Sequence, residues 1–291
     1  MKSEKILGVV VVYKPDILEL IDNINQYIKS IDKLIIWENS KILEDDKKNI
    51  CTKIYDSFKV IFKGTGENVG ISKAINYSIN YANNNQYSYL LSMDQDSYWI
   101  NFQQFKANVL KSKNKSIGIF GPKIINEYAQ NDIIIKNGKL MEEVPYVITS
   151  GSLYKTEIFK KIGCFKESWF IDALDEEICY RARNFNIKTA VYNDNNVFIK
   201  QKFGNFEMKD FFYRTVGISN YSSFRYYYII RNHIWLLKCD YVDIKEKMSI
   251  FYSYVFIPFI KVIIFEDNKI NKIQRMIKGV FDGMLKNGRE R

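Results

Sequence analysis

The sequence contains only one histidine, His233, and its four cysteines form no C-x-x-C pair. A metal centre built from several histidines is therefore excluded, and a histidine-based nucleophilic triad could use only His233. The cysteines are widely and irregularly spaced, which is typical of buried thiols in a reducing compartment and not of a disulfide framework or a zinc site. Proline is also scarce, with four residues, so no proline-rich linker divides the chain.

Apolar residues and positive charge are plentiful instead. Hydrophobic residues make up 47% of the 291 residues, which is enough to bury a core and excludes disorder by composition. The net charge of +10 favours an anionic partner: a nucleotide, a nucleic acid or an anionic membrane surface. The apolar run Ile6 to Tyr13 is followed by Lys14-Pro15-Asp16 and not by a cleavage site. We therefore interpret that run as a buried strand, and we expect a cytoplasmic protein.

Strand-like and helix-like segments alternate through the first hundred residues. The β-branched run Ile6 to Tyr13 is typical of a parallel strand buried on both faces. Pro15-Asp16 favours a helix start, and Leu34 to Trp37 forms the next strand. This alternation predicts a doubly wound α/β fold with a mostly parallel sheet. Beyond it we expect strands within 56–62 and at 89–94, 117–122 and 189–192, an excursion at 132–139, and helices after Gly70, at 155–162 and at 175–185.

The most informative stretch is Tyr89 to Ser97, where an apolar strand ends in two carboxylates, Asp94 and Asp96. Ligands of open α/β sheets bind outside the carboxyl ends of the strands. Two carboxylates held close together favour a cation between them or a ribose hydroxyl that donates to one. Mg²⁺ suits this position because it binds through one or two carboxylates and substrate phosphates. The alternative is a polar turn after a buried strand.

Further polar residues follow the neighbouring strands. The loop Gly64 to Gly70 lies between a strand and a helix, where phosphates bind, but it matches neither the dinucleotide fingerprint nor a P-loop. A tight strand-to-helix turn explains the loop equally well. Tyr13, Glu38, Asn68 and Asp94 nevertheless fall at or just beyond the ends of successive strands. That clustering at one sheet edge is what a nucleotide pocket requires.

A second acidic stretch runs from Trp169 to Arg181 and carries four carboxylates within six residues. Acids at a helix start complement its dipole, and Glu177 and Arg181 have the i,i+4 spacing of an ion pair. The dipole does not account for the density of carboxylates. A general base that deprotonates a sugar hydroxyl must be a carboxylate or a histidine, so Asp175 is the natural candidate. Trp169 could offer an apolar face to a sugar ring, although core packing is commoner.

The C-terminal part differs in character. Residues 250–265 are nearly all apolar but contain Pro258 and Lys261, so we interpret them as too short and too broken for a transmembrane helix. Residues 269–291 form an expected amphipathic helix. Its apolar face comprises Ile270, Ile273, Ile277, Val280, Phe281, Met284 and Leu285, and its polar side carries Lys269, Lys272, Arg275, Lys278 and Lys286. Such a helix is typical of an interfacial membrane anchor, and packing on the core or on a second subunit is the alternative.

These motifs, in this order, resemble glycosyltransferase family 2. The stretches that carry the resemblance are Val9 to Tyr13, Glu38-Asn39-Ser40, Asn68 to Asn76, Asp94 to Ser97, Ser150-Gly151-Ser152 and Phe170 to Arg181. The Asp-Gln-Asp-Ser form looks most like the rhamnosyltransferase branch. The resemblance covers about residues 5 to 235, and its ordered set of motifs is specific.

The resemblance implies a GT-A type nucleotide-sugar-binding fold and an inverting, metal-dependent transfer. Asp94 would contact the ribose or the metal, and Asp96 would hold Mg²⁺ or Mn²⁺ on the diphosphate. Glu38 stands where the family reads the base. Asp175 matches the catalytic base, and Arg181 closes that motif. The remaining expected donor, acceptor and sugar contacts are Tyr13, Asn68, Lys73, Ser150, Gly151, Trp169 and Asp172.

Two positions depart from the family pattern. Gln201-Lys202-Phe203-Gly204 replaces the family's His-x-x-Gly, and glutamine is a weaker metal ligand, so a role for Gln201 is doubtful. Leu174 replaces the usual Glu before the base, which the rhamnosyl branch accepts. We expect residues 1–240 to form the GT-A domain and residues 241–291 a helical, basic, amphipathic extension.

The expected function is transfer of L-rhamnose from dTDP-rhamnose to a saccharide acceptor, lipid-linked, in bacterial cell-surface polysaccharide synthesis. We also expect peripheral membrane contact through the C-terminal helices. The sequence does not decide whether the protein forms a homo-oligomer. Transfer of galactose or glucose from a UDP-sugar is the alternative enzyme. A nucleic-acid-binding protein is an alternative of another class, suggested by net charge and by Tyr/Arg crowding near residues 221–237, but aromatics in a helix favour packing. We therefore expect no nucleic acid partner.

Overall fold

The computed structural model describes residues 4–126, 140–201, 206–211, 214–286 and 288. The excursion predicted at 132–139 and residues 202–204 of the expected Gln-Lys-Phe-Gly motif lie outside this range. The strands are β1 Ile6–Val12, β2 Lys33–Glu38, β3 Val60–Gly64, β4 Tyr89–Asp94, β5 Ser97–Ile100, β6 Ile117–Asn126, β7 Met141–Glu143, β8 Leu153–Lys155, β9 Lys188–Tyr192, β10 Phe198–Gln201, β11 Glu207–Phe211 and β12 Arg214–Ile218. The helices are α1 Ile17–Asn25, α2 Glu44–Lys53, α3 Ile71–Asn84, α4 Phe102–Lys111, α5 Phe159–Ile162, α6 Leu174–Asn184, α7 Ser223–Leu237, α8 Ile244–Ile250, α9 Ile257–Phe265 and α10 Lys269–Leu285.

Ten strands form a mixed sheet in the order β3-β2-β1-β4-β8-β6-β10-β5, with β9 beside β6 and β7 beside β9. The pairs β1–β2, β1–β4, β2–β3, β6–β9 and β6–β10 are parallel. The strands β8, β7 and β5 pair antiparallel with their neighbours. The predicted α/β fold with a mostly parallel sheet is confirmed.

The first helix begins where the sequence predicts. Asp16 is the N-cap residue of α1, and its Oδ1 accepts hydrogen bonds from the amides of Leu18 at 2.9 Å and Glu19 at 3.1 Å. These bonds satisfy two of the amides that every helix start leaves without an intrahelical partner. The helix buries Leu20, Ile21 and Ile24 against the sheet, so the chain returns from β1 into position for β2.

Beyond β4 the structure contains elements that the sequence did not predict. The short strand β5 pairs antiparallel with β10, and their register places Gln201 opposite Ser97. Trp99 of β5 packs on Phe102 and Phe105 of α4, with ring centroids 5.2 and 4.9 Å apart. This buried aromatic cluster fixes the strand that follows the Asp94–Asp96 turn.

The chain divides into two compact units, which we describe separately. The first unit contains residues up to 165 and residues 178–202, and it holds the whole ten-stranded sheet. The second contains residues 166–177 and 203–291, with the β11–β12 hairpin and α7 to α10. This division does not test the predicted domain boundary at residue 240, which stays a prediction.

In the second unit, α10 packs closely on α7 through two glycines and through the apolar residues Ile273, Met276 and Val280. A side chain at Gly279 would bring Cβ to 2.7 Å from the carbonyl oxygen of Tyr227, and one at Gly283 to 2.9 Å from Cβ of Ile234. Lys272, expected on the polar face, is 5% exposed and its Nζ lies 2.8 Å from the Glu266 carboxylate. Of the predicted apolar face, Ile273 and Val280 are partly buried in the cluster around Met276, whereas the others are exposed: Ile270, Ile277, Phe281, Met284 and Leu285.

The apolar stretch before α10 is longer than the sequence suggested. Residues 244–265 form one helical run, because α8, a π-helical segment at Phe251–Phe256 and α9 follow one another directly. The π-helical segment precedes Pro258, which lacks the amide hydrogen that a regular helix would use. By length and composition this helix could cross a membrane, and about 17% of its most apolar window is buried. The interpretation that it is too short and too broken is therefore corrected.

Candidate active site

The first candidate site, within the first unit, is the turn at the carboxyl end of β4. Asp94 ends the strand, Gln95 and Asp96 form the turn, and Ser97 begins β5. Nε2 of Gln201 donates to Oδ2 of Asp94 at 3.0 Å. The β5–β10 register brings these two residues together, although 107 positions separate them along the chain.

The donor atoms at this turn fit a hard divalent cation. Asp94 and Asp96 supply carboxylate oxygens, and the buried Oε1 atom of Gln201 has no hydrogen-bond partner among the residues that the structure describes. Its Nε2 faces the Asp94 carboxylate, so the oxygen is the atom left available. Within the described residues no cluster of three or more His, Cys, Asp or Glu side chains could hold a metal. Mg²⁺ does not need one, because phosphates and waters complete its shell.

Ser150 and Gly151, predicted to contact the acceptor or the sugar, lie behind this turn. Ser150 is fully buried, accepts a bond from the Asp94 amide at 3.2 Å and donates to the Ser97 hydroxyl at 2.8 Å. Gly151 has φ +77°, and its amide donates to the Ser92 carbonyl at 2.7 Å. The structure therefore gives both residues contacts that fix the ends of β4 and β5.

Gln95, between the two acids, ties β4 to β1, a role that the sequence analysis missed. Its side chain accepts from the Tyr13 amide at 2.7 Å and donates to the Tyr13 carbonyl at 3.2 Å. The buried Asn23 of α1 donates to the backbone carbonyl of Gln95 at 2.8 Å. Tyr13, a predicted nucleotide contact, is 46% exposed beside this bridge. In the sequence, the signal for this bridge is the amide side chain of Gln95 between the acids Asp94 and Asp96.

At the end of β2, Glu38 has defined partners. Its carboxylate accepts from the Ile42 amide at 3.2 Å and lies 3.0 Å from Nζ of Lys47. The backbone of the Gly64 turn approaches it so closely that a Cβ on Gly64 would lie 2.6 Å from the Glu38 carbonyl oxygen. Only glycine suits that approach, and its φ of +126° favours glycine as well. The structure thus places Glu38 in a rigid setting at the predicted base-reading position.

Asn39 links this strand end to the loop before α3. Its Oδ1 accepts from the Trp37 indole at 3.1 Å, and its Nδ2 donates to the Gly70 carbonyl at 3.3 Å. Asn68 lies on the exposed loop and accepts from the Gly70 amide at 3.2 Å, and Lys73 is exposed in the first turn of α3. Both predicted phosphate-side residues are therefore accessible at a helix N-terminus, where anions bind.

The second candidate site is the acidic start of α6, within the second unit. Asp172 receives a bidentate contact from Arg225, with the Nη2–Oδ1 distance 2.9 Å. Oε2 of Glu176 lies 3.5 Å from Nε2 of His233. Asp175, between them, accepts from the Glu176 amide at 3.2 Å and has no ion-pair partner among the described residues. Within the described residues, Asp172 and Glu176 therefore each lie beside a basic side chain, and Asp175 does not.

The surroundings of Asp175 favour a proton acceptor that works near neutral pH. Burial, followed by the negative charge of Glu176, raises the pKa of Asp175 from 3.8 to about 7. A group with this pKa is half deprotonated at neutral pH and binds a proton more strongly than an ordinary aspartate. Perturbed carboxylates of this kind concentrate at functional sites.

Two other predicted contacts lie elsewhere. The structure places Trp169 in the core of the second unit instead of on an exposed face for a sugar ring. It is 1% exposed, packs on Trp235 at 5.9 Å and donates to the Gly288 carbonyl at 3.2 Å. In the first unit, Arg181 donates to the carbonyls of Ile162 and Cys164, and in the second Glu177 lies 2.9 Å from Nζ of Lys166.

The sequence is similar to dTDP-rhamnosyl transferase RfbF of Shigella flexneri, with 27% identity over 97% of this chain and 96% of that protein. No family model matches the chain. The fold is similar to that of S. aureus TarS residues 1–349, with a TM-score of 0.57, 13% identity, and coverage of 97% of this chain and 81% of that one.

Two metal-containing structures are also similar. GalNAc-T7 with UDP, GalNAc and Mn²⁺ has a TM-score of 0.55 and 13% identity over 87% of this chain and 55% of that one. The mannosyltransferase PcManGT of Pyrobaculum calidifontis, with GDP-Man and Mn²⁺, has a TM-score of 0.53 and 11% identity over 80% and 62%. The chain therefore has the fold of GT-A glycosyltransferases and is homologous to a dTDP-rhamnosyl transferase, which supports a nucleotide-sugar glycosyltransferase.

Proposed function

We propose that this chain is a rhamnosyltransferase of glycosyltransferase family 2. It would transfer L-rhamnose from dTDP-L-rhamnose to a lipid-linked saccharide in bacterial cell-surface polysaccharide synthesis. The observation that carries this proposal is the similarity to a dTDP-rhamnosyl transferase over nearly the full length of both chains. The paired acids at the end of β4 support it, since this edge of an α/β sheet is where nucleotides bind.

In this proposal Asp175 is the general base. It takes the proton of an acceptor hydroxyl, whose oxygen bonds to the anomeric carbon from the face opposite the nucleotide. The bond from that carbon to the diphosphate breaks, and dTDP leaves with the bonding electrons, so the anomeric configuration inverts. The pKa of Asp175, raised to about 7, supports this role because the carboxylate can accept a proton at cellular pH.

The nucleotide half of the reaction would fall to the first unit. Asp96 and Asp94 would hold Mg²⁺ or Mn²⁺, and the Oε1 atom of Gln201, which accepts no hydrogen bond from the described part of the chain, would be a further ligand. The bound ion would offset the negative charge that develops on the leaving diphosphate. Lys73 and the amides at the start of α3 would add positive potential. Glu38, Tyr13 and Asn68 would contact the nucleoside.

We also propose that the protein lies at the cytoplasmic face of an anionic membrane. The helical run 244–265 carries an exposed stripe at helical spacing, consisting of Ile244, Met248, Phe251, Tyr252, Phe256, Ile260, Ile263 and Ile264. Together with the exposed apolar residues of α10 we call this the outer apolar face. Aromatic and aliphatic side chains on such a face suit the headgroup region of a bilayer.

Charge favours a membrane over a second copy of this basic chain as the occupant of that face. Residues 244–286 contain eight Lys and Arg against four Asp and Glu. Lys269, Arg275, Lys278 and Lys286 are exposed on α10. Anionic lipid attracts such cations, whereas two equally basic copies would repel each other.

Calorimetric binding of dTDP and of UDP, each with Mg²⁺, Mn²⁺ or EDTA, tests the donor. The proposal predicts metal-dependent binding that favours dTDP. If the protein preferred UDP, it would still be a glycosyltransferase, but the donor sugar would not be rhamnose. If it bound neither nucleotide, the proposed nucleotide site would be wrong. An oligonucleotide titrated in parallel should not bind, which separates the transferase from a nucleic-acid-binding protein.

A further inference from the structure

The segment that leads into α6 has an unusual backbone. Phe170, Asp172 and Ala173 all have positive φ, with values of 62°, 64° and 61°. Side chains with a Cβ disfavour this region, and only aspartate among these residue types is commonly found there. Phe170 also has ψ −60°, outside the left-handed helical region. Such a conformation persists only where the surroundings hold it, and here it immediately precedes Asp175.

Helix α7 supplies the contacts that hold this segment. The fully buried Asn232 directs Nδ2 at three backbone carbonyls, those of Trp169 at 2.7 Å, Ile171 at 2.6 Å and Asp172 at 3.0 Å. Its Oδ1 accepts from Arg231 at 2.8 and 3.0 Å, which fixes the orientation of the amide. One side chain therefore binds three carbonyls of the irregular backbone, of which that of Trp169 also accepts from the Ile171 amide at 2.7 Å.

The next residue of α7 holds the acid beside Asp175. Nδ1 of His233 lies 2.6 Å from the Ile229 carbonyl and must donate to it, so Nε2 faces Glu176. Burial opposes protonation of His233, but the Glu176 carboxylate 3.5 Å away and the Ile229 carbonyl outweigh it and raise the pKa of the imidazole. The ring of Tyr254 stacks on this imidazole at 4.0 Å and 9°.

We propose that Asn232 and His233 are positioning residues for Asp175: Asn232 holds the irregular 170–173 backbone and His233 holds and neutralises Glu176. This inference rests on the proposed role of Asp175 as the base. In this inference, residues of α7 control the proton affinity of Asp175, although Asp175 itself lies on α6.

The charged groups around Asp175 define what should change. Asp172 and Glu176 face it as carboxylates, Arg225 neutralises Asp172, and His233 neutralises Glu176. Removing the imidazole takes away the positive charge beside Glu176, which should make Asp175 harder to deprotonate. Removing the Glu176 charge should make it easier. Releasing the backbone by loss of Asn232 should admit water and also make it easier.

The experiment follows the Asp175 carboxyl carbon by NMR in protein labelled at aspartate Cγ, assigned by its loss in Asp175→Asn. The titration midpoint should lie near pH 7, rise by about one pH unit in His233→Gln and fall by about one unit in Glu176→Gln. The double variant should match Glu176→Gln alone. An unchanged midpoint in Glu176→Gln, which preserves the shape of the side chain, would overturn the coupling even if His233→Gln failed to fold.

Asn232→Leu should lower the same midpoint. Asn76→Leu is its matched control, because Asn76 is also buried and donates to a loop carbonyl, that of Phe165 at 2.8 Å. Both variants should lower Tm, but only Asn232→Leu should move the Asp175 titration midpoint. If the midpoint of Asn232→Leu equalled that of Asn76→Leu, the role of Asn232 would be structural only. Release of dTDP from dTDP-L-rhamnose, measured in the same samples, tests the proposed function separately, since the midpoint can shift whether or not dTDP is released.

Discussion

Nε2 of His233 lies 3.5 Å from Oε2 of Glu176, in a pair whose side chains are only 3% and 5% exposed. Water screens such a pair poorly, so its charges act strongly on the neighbouring carboxylate. Asp175 is that neighbour, and it has no cation of its own among the described residues. The pair and the carboxylate together set the pH range in which the proposed base can work.

The activity should therefore rise with pH through neutrality. The pKa of Asp175 is raised to about 7, and the base must be deprotonated to act, so kcat/KM should be half-maximal near pH 7. In Glu176→Gln this limb should move to lower pH. Initial rates of dTDP release between pH 5 and 9 check both statements, and a flat wild-type profile would contradict them.

The same raised pKa has a consequence for stability. Between about pH 4 and 7 the folded protein keeps the Asp175 proton while the unfolded chain releases it, so this group makes the free energy of unfolding fall as pH rises. In Asp175→Asn the change in the free energy of unfolding from pH 4.5 to pH 7 should therefore be more positive than in the wild type. Urea unfolding at the two pH values measures this change, and a more negative change in the variant would contradict the sign.

Asp175→Asn should abolish transfer while leaving dTDP binding intact. The amide keeps the size of the side chain but cannot take a proton, and loss of a general base typically costs about 10²- to 10⁴-fold in rate. Rates of dTDP release and calorimetric dTDP binding should be measured on the same preparation. Equal loss of both would show that Asp175 has a structural role.

Asp96→Asn should remove the metal dependence of nucleotide binding. With one carboxylate lost, the affinity for dTDP in Mg²⁺ should fall roughly tenfold, towards the value in EDTA. Asp45→Asn is the control, because Asp45 is a carboxylate exposed on α2. If Asp96→Asn bound dTDP with the wild-type Mg²⁺ dependence, the metal would not be held at the β4 turn.

The outer apolar face should bind anionic vesicles. Ile263→Ser combined with Ile264→Ser should weaken sedimentation with phosphatidylglycerol vesicles by about tenfold or more, since two exposed isoleucines lose contact with the bilayer. Leu18→Ser, also at an exposed apolar position, is the control. Binding should also weaken at high salt. If the paired change dissociated an oligomer instead, the face would be an interface between copies.

Substitution of the helix-packing glycine should destabilise the second unit. In Gly279→Ala the new Cβ would meet the Tyr227 carbonyl at 2.7 Å, so α10 must shift, at a cost of about 1–3 kcal/mol. Ile277→Ala, two residues away and exposed, should cost little. Thermal unfolding of both variants decides the matter: a larger loss from Ile277→Ala would mean that the apolar residues and not the glycines hold the helix.

The sequence predicts the first half of the fold well because local signals there agree with the tertiary structure. Asp16 is both a good N-cap residue and the observed one, and the β-branched run at residues 6–12 is a central parallel strand. The acids at 94 and 96 fall at a strand end because β4 stops where its apolar run stops.

Contacts between distant segments could not be predicted from local patterns. The pairing of β5 with β10 brings Gln201 to Asp94, and no local pattern at either residue encodes that register. Asn232 and Trp169 lie 63 positions apart, so the role of α7 at the acidic segment is visible only in the fold. Helical periodicity places seven apolar residues of α10 on one face, but it does not show that Ile273 and Val280 pack while the other five stay exposed.

Because of the glycine contacts of α10, different residues meet two requirements: close packing on α7 and an apolar outer surface. Attachment to α7 is encoded by the absence of side chains at 279 and 283, so the bulky residues opposite them carry little of the folding free energy. Those positions can vary in size and hydrophobicity without unfolding the helix pair. Evolution or an engineer could therefore retune what this surface binds while the fold stays as it is.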